Sequence, residues 1–258
     1  MWKKLGLAAA ALLVIIAGVG WYLFSNLDSF IQQAIEKYGS AATQADVNVS
    51  GVQLSLNTGS GSINGLVVGN PAGFSTPHAL ALGGVAVQLD TASLPGTGPI
   101  IINEVTITNP QVTYEVRGLD NLSNLKVLQG NVQAYANTGA QATPQSSGAP
   151  ARTEIIRDLT ITGGEIGISA TALGGKALTV PLPTIHLTNI GQGHGGASPA
   201  EITREVLGAI TNAATKVSAT ALANTLASTA TGALKSGTGV LSNGAGSVTG
   251  AAKGLLSY

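Results

Sequence analysis

The sequence predicts a mainly β chain with helices at both ends: an N-terminal transmembrane helix, a curled, antiparallel-rich sheet built from a repeat, and a C-terminal amphipathic helix. Three observations carry this. The stretch from Leu5 to Phe24 contains no charged residue. A short phrase recurs three times in the middle of the chain, with its apolar residues two apart. From Ser198 onward the apolar spacing changes to three and four, the period of a helix with one buried face.

The uncharged run, LGLAAAALLVIIAGVGWYLF, spans ~30 Å at 1.5 Å per residue, which matches the hydrocarbon thickness of a bilayer. Lys3 and Lys4 precede it, and the nearest charges beyond are Asp28 and Glu36. The positive-inside rule therefore keeps the N-terminal end in the cytoplasm and sends the rest across. The run continues into bulky Trp21, Tyr22, Leu23 and Phe24 without a small-residue cleavage site, so a retained anchor over 1–24 is expected rather than a removed signal peptide. Over 25–45, Leu27, Phe30, Ile31, Ala34, Ile35 and Tyr38 fall at helical spacing and predict an amphipathic connector helix.

From Asp46 to about 197 the chain reads as a β domain. The repeated phrase is INGLVVGNPAG at Ile63, INEVTITNPQV at Ile102 and IRDLTITGGEI at Ile156. Each copy has Leu or Val three residues after its first Ile (Leu66, Val105, Leu159) and an apolar residue two further on (Val68, Ile107, Ile161). Each then meets a breaker: Asn70-Pro71, Asn109-Pro110 or Gly163-Gly164. Period two followed by a breaker is the signal of a strand with one buried face that ends in a turn. The third copy stands farther from the second than the second from the first, and the extra length matches the polar stretch 137–151, expected to be a loop. Repeats of this size lend their apolar faces to one another, so these six residues are expected to line one face of a trough. Further strands are expected at 47–56, 85–89 and 185–190. Ile100–Ile107 with Val112–Val116, and the segment around Ile166–Ile168, read as hairpins. A short helix is expected over 121–136.

Ser198-Pro199-Ala200-Glu201 has the form of a helix start, with Ser as cap, Pro at the first position and Glu at the third. Ile202, Val206, Ile210 and Val217 then form the stripe expected to pack on the trough. The helix is expected over 198–230. A glycine-rich amphipathic tail follows over 231–258, where Leu234, Leu241, Val248 and Leu255 recur every seven residues and each interposed glycine weakens a helix by ~1 kcal/mol.

Composition narrows the function. The chain has 258 residues, 12 acidic and 12 basic side chains, and no formal net charge, which argues against a nucleic-acid partner. Only 9% of residues are charged against 44% hydrophobic, so the surface must be neutral polar groups, or apolar groups that meet lipid or protein. Without a single Cys, disulfides, thiolate metal sites and a cysteine nucleophile are excluded. Gly191-Gln192-Gly193-His194-Gly195-Gly196 matches GxGxxG between a strand and a helix. It lacks both the acid that should stand about 20 residues further on and a following strand, so it reads as a glycine connection rather than a dinucleotide site. His186 and His194 have no clustered carboxylates to complete a metal site, and no nucleophile elbow or phosphate loop is present. No catalytic residue, cofactor or metal is expected.

Three segments, GSINGLVVGNPAGF (61–74), INEVTITNPQVTYEV (102–116) with NLSNL (121–125), and LPTIHLTNIGQGHGGASPAEITREVL (182–207), together with the N-terminal run, resemble small AsmA-like proteins of Gram-negative envelopes, relatives of the larger TamB-type bridges. The resemblance implies a single-pass inner-membrane protein with a periplasmic curled sheet, an apolar concave face, and membrane lipids or a membrane protein as partners. In larger relatives such a trough carries acyl chains between membranes. About eight strands at ~4.8 Å make a sheet ~40 Å long, too short to bridge two membranes alone. The expected role is a lipid-associated or scaffold module in envelope maintenance. The alternative is an accessory subunit on a larger membrane complex, its concave face filled by its own helix.

Overall fold

A computed structural model describes residues 26–117, 122–138, 152–170 and 178–255, with side chains resolved in the last helix only to about 228. The expected anchor over 5–24 and the loop from 139 to 151 lie outside the described residues. Among those described, no helix is long and apolar enough to cross a membrane. The chain divides into two compact units, 1–215 and 216–258.

The first unit holds an eleven-stranded mixed sheet. In chain order the elements are α1 (Leu27–Thr43), β1 (Val47–Asn48), β2 (Gly51–Ser55), β3 (Ser60–Gly69), β4 (His78–Leu89), β5 (Ile100–Thr108), β6 (Gln111–Arg117), β7 (Leu122–Ser123), α2 (Asn124–Asn137), β8 (Glu154–Thr162), β9 (Glu165–Ala170), β10 (Leu178–Pro181), β11 (Ile185–Ile190) and α3 (Pro199–Leu255). Among the described residues the fold is thus mainly β with three α-helices. The backbone of α3 stays helical through the glycine-rich tail and into the second unit.

Two of the three breakers do not make hairpins; the first, Asn70-Pro71, lies in the connection between β3 and β4, which do pair antiparallel. β5 pairs with β4 and β8, and β6 with β4, β7 and β9, but β5 and β6 do not pair with each other. Asn109-Pro110 is instead a corner in one bent strand, and Gly163-Gly164 is the same corner in the next. The two bent strands lie parallel and in register, Val105 on Leu159 and Ile107 on Ile161 before the corner, Val112 on Ile166 and Tyr114 on Ile168 after it. The ladder continues through the corner itself, where the Asn109 N–H donates to Thr162 O (2.9 Å) and the Glu165 N–H to Pro110 O (2.8 Å). Both pivots adopt the left-handed conformation, φ +49° at Asn109 and +69° at Gly163, which reorients the chain without breaking its lateral bonds. β9 does form an antiparallel pair, but with β10, and β10 and β11 complete a third bent strand against β9 and β8.

The first copy of the repeat bends ahead of its breaker. Ile63, not Val68, shares a row with Ile107, because both pair with Val85, and Gly61 rather than Leu66 aligns with Val105 through Val87. The pivot is Gly65, with φ +59°. Leu66 and Val68 lie beyond it, opposite Leu82 and Leu80. The expected equivalence of the six repeat residues therefore holds for Val105, Ile107, Leu159 and Ile161 and is corrected for Leu66 and Val68. Since the corners join strands end to end, eleven strands fill only six lateral positions. The sheet is about 29 Å wide at ~4.8 Å per strand, rather than ~40 Å.

One margin of the sheet is closed by α1. Its residues 28, 32, 36 and 40, four apart and so on one face, bond to the backbone of the segment running through β1 and β2. Asp28 Oδ1 accepts from Leu54 N (3.0 Å) and Glu36 Oε1 from Val49 N (3.0 Å). Gln32 Nε2 donates to Val49 O (2.6 Å), and Ser40 Oγ accepts from Val47 N (2.9 Å). Side chains of a helix here do the work of a neighbouring strand.

Candidate functional site

The apolar face expected to form a trough is a set of rows. One runs Val52, Ile63, Val85, Ile107, Ile161, Ile185 across six strands; the next runs Leu54, Gly61, Val87, Val105, Leu159, Leu187. Their exposure is graded. At the centre Val105, Ile107, Leu159 and Ile161 are buried, Ile161 completely, whereas Val52, Leu54, Ile63, Ile185 and Leu187 toward the margins are half-buried. The middle of the face is thus closed off by the chain itself. Val68 is buried and Leu66 half-buried beyond the corner.

In the stripe expected to pack on this face, Ile202 and Ile210 are buried and Val206 and Val217 half-buried, while Leu207, Thr211 and Ala214 are buried beside them. The buried stripe is rotated from the expected one, because Leu207 rather than Val206 faces inward. The first turns of α3 lie beside α2, where Arg204 Nη1 reaches Gln133 Oε1 (3.4 Å) and a Cβ on Gly208 would stand 3.3 Å from Gln129 Nε2. Leu125, Leu128 and Val132 of α2 are themselves fully buried. The helix start has the expected reciprocal cap: the Ser198 N–H donates to Glu201 Oε2 (2.8 Å) and the Glu201 N–H to Ser198 Oγ (3.3 Å). The Ser198 N–H and the Ser198 hydroxyl (2.9 Å), both donating to Glu201 Oε2, hold the Glu201 carboxyl below its ordinary value.

The GxGxxG glycines have a backbone role. Ala197 and Glu154 exchange both of their N–H to O bonds at 2.8 Å, which brings the chain after β11 against the start of β8. A Cβ on Gly191 would stand 2.7 Å from Glu154 O, and one on Gly196 2.1 Å from Thr153 Oγ1. Close backbone approach accounts for Gly191, and the Thr153 side chain together with a φ of +112° accounts for Gly196. His186 Nε2 lies 2.6 Å from Asp158 Oδ2 on exposed side chains, and His194 sits in the glycine turn. Among the described residues no three potential metal ligands cluster.

Sequence reasoning missed a polar knot that joins two of the three segments carrying the resemblance through Ser75, Thr76 and Arg117 just beyond their ends. Glu115 on β6 is buried, and its carboxylate accepts from Ser75 N (2.9 Å), Thr76 N (2.9 Å) and Thr76 Oγ1 (2.7 Å). Asn124, wholly buried at the head of α2, accepts from Glu115 N (3.0 Å) and Leu125 N (2.9 Å). It donates to Thr113 O and Asn70 Oδ1 (both 2.8 Å). Asn70 donates in turn to Thr76 O, and Arg117 stacks 5.5 Å from the Phe74 ring centre while bonding Gly73 O. Burial works to raise the Glu115 pKa, but the bonds from Thr76 and Ser75, with Arg117 nearby, outweigh it and leave it lowered. The signal available in the sequence was an acid next to inward-facing Tyr114 in a strand otherwise free of acids. The knot pins the 70–77 loop, the bent strand and α2 to one another.

No protein-family model matches this sequence, and no curated protein matches it.

Proposed function

We propose that the chain is a membrane-tethered, AsmA-like scaffold module of a Gram-negative envelope, held at the inner membrane by the 5–24 run with its bulk in the periplasm and without catalysis. The observation that carries the scaffold reading is the closed centre of the apolar face: Val105, Ile107, Leu159 and Ile161 are covered by the chain itself, so no continuous trough is left there for acyl chains. The tether is supported by the uncharged run from Leu5 to Phe24 behind Lys3 and Lys4. The envelope assignment is supported by the resembling segments.

The half-buried margins favour a second reading, in which Val52, Leu54, Ile185 and Leu187 meet membrane lipid. Extraction of the full chain in mild nonionic detergent, followed by identification of the lipids and proteins that accompany it, separates the two. A stoichiometric membrane-protein companion with no retained lipid supports the scaffold; tightly held phospholipid with no companion supports the lipid-associated reading. Protease added to spheroplasts should digest residues beyond 25, and survival of the intact chain overturns the tether and orientation.

A further inference from the structure

We propose that the cavity where α1, α2, the start of β8 and the start of α3 meet is a binding site for a small primary aliphatic amine, whose ammonium group pairs with Glu154. The cavity measures about 410 Å³ and is lined mainly by carbon: Ala34, Ile35 and Ala42 of α1, Tyr135 of α2, and Ala200 of α3. That is within the range of small-ligand sites, which are apolar with a few placed polar groups. At about 30 Å³ per water-sized group it holds roughly a dozen heavy atoms, too few for a two-chain lipid.

Glu154 selects the charge. Its backbone is fixed by the two bonds to Ala197, so the side chain enters the cavity from a rigid strand end. Among the described residues its carboxylate has no hydrogen-bond or ion-pair partner, whereas the capping Glu201 and the knotted Glu115 are both fully engaged. Burial alone pushes the Glu154 carboxyl up, with no cation to offset it. An unpaired acid in an apolar pocket is unfavourable by itself, and an ammonium with a short hydrocarbon tail supplies both the missing charge and the missing apolar contact. Two neighbouring hydroxyls are engaged elsewhere: Thr203 Oγ1 donates to Pro199 O and Thr43 Oγ1 to Gly39 O. The site goes beyond the scaffold reading and stands whether or not the chain is tethered.

The test is calorimetric titration of the full chain, in a nonionic detergent with protein-free micelles as blank, using n-hexylamine, n-hexanol and hexanoate at neutral pH. Hexylamine should bind at one saturable site, hexanol at least about tenfold more weakly, and hexanoate not at all, since a charge-assisted bond is worth more than a factor of ten. Glu154→Gln, nearly isosteric, should lose about tenfold for hexylamine while leaving hexanol unchanged. Ala34→Leu, which fills the cavity, should abolish both, with the circular dichroism of each variant matching wild type. Equal binding of hexylamine and hexanol, wild-type affinity in Glu154→Gln or Ala34→Leu, or no saturable site overturns the proposal.

Discussion

Replacing Ile161 by Ala tests the register of the bent sheet at its centre. Ile161 is completely buried and stands between Ile107 and Ile185 in the row that crosses six strands. The change removes three carbons, a transfer loss of about 2.4 kcal/mol at ~0.8 kcal/mol each. Incomplete collapse around the gap adds roughly 1–2 kcal/mol. The expected cost is therefore about 3–4 kcal/mol, a large share of the roughly 5–15 kcal/mol that holds a domain folded. The neighbouring Thr160 points to the opposite face, so Thr160→Ala should cost about 1 kcal/mol or less. Urea unfolding of the full chain in mild detergent, followed by circular dichroism, measures both variants on one scale. In a thermal scan the same difference should lower the Tm of Ile161→Ala by roughly 6–16 °C. A cost below about 1 kcal/mol for Ile161→Ala, or equal losses at both positions, would refute the one-sided burial on which the row depends.

Gly163→Ala should destabilise by about 1–2 kcal/mol, because φ is +69° and the new Cβ would stand 2.6 Å from Asn109 Oδ1, whereas Asn109→Gly at the matching pivot should be near neutral by the same urea titration. Glu115 has a folded pKa held below its unfolded value of about 4.3, so its contribution is complete above that value and is lost as pH falls through the folded pKa. Glu115→Gln should thus cost most at neutral pH, and its unfolding free energy should converge on that of the wild type under acid; a gap independent of pH would contradict this. Ser198→Ala should cost about 1 kcal/mol through loss of the cap at the head of α3, read from the urea midpoint at unchanged slope.

Element type was legible wherever the apolar period was unambiguous, as in α1, α2, β5, β8, β11 and α3. The parity of Val105, Ile107, Leu159 and Ile161 was legible too. What period and breaker cannot tell is whether the chain reverses or merely bends. Asn109-Pro110 and Gly163-Gly164 satisfy both geometries, and the choice is made by lateral partners such as Val105 and Leu159, too distant in sequence for any local window to contain both. The first copy misled for a related reason. Its true pivot, Gly65, is one small residue inside an apolar phrase, while Asn70-Pro71 imitates the breakers of the later copies and belongs to the Glu115 knot. On α1 the apolar residues were read and the polar stripe 28, 32, 36, 40 was not, because nothing in one helix shows that a strand margin awaits it. Glu154 carried no signal at all; only the convergence of three helices around it makes it distinctive.

The two margins of the sheet are unlike. Asp28, Gln32, Glu36 and Ser40 occupy the backbone groups at one, while at the other β10 and β11 have no strand on their outer side among the described residues. Growth of sheets from molecule to molecule needs two free and complementary edges on every copy, one to receive and one to offer. With one edge already occupied by side chains of α1, copies joined head to tail through their sheets would lack one of the two edges they need. A chain in which only 9% of residues are charged is by this means guarded against growth through that edge, with a helix rather than a charged strand as the guard.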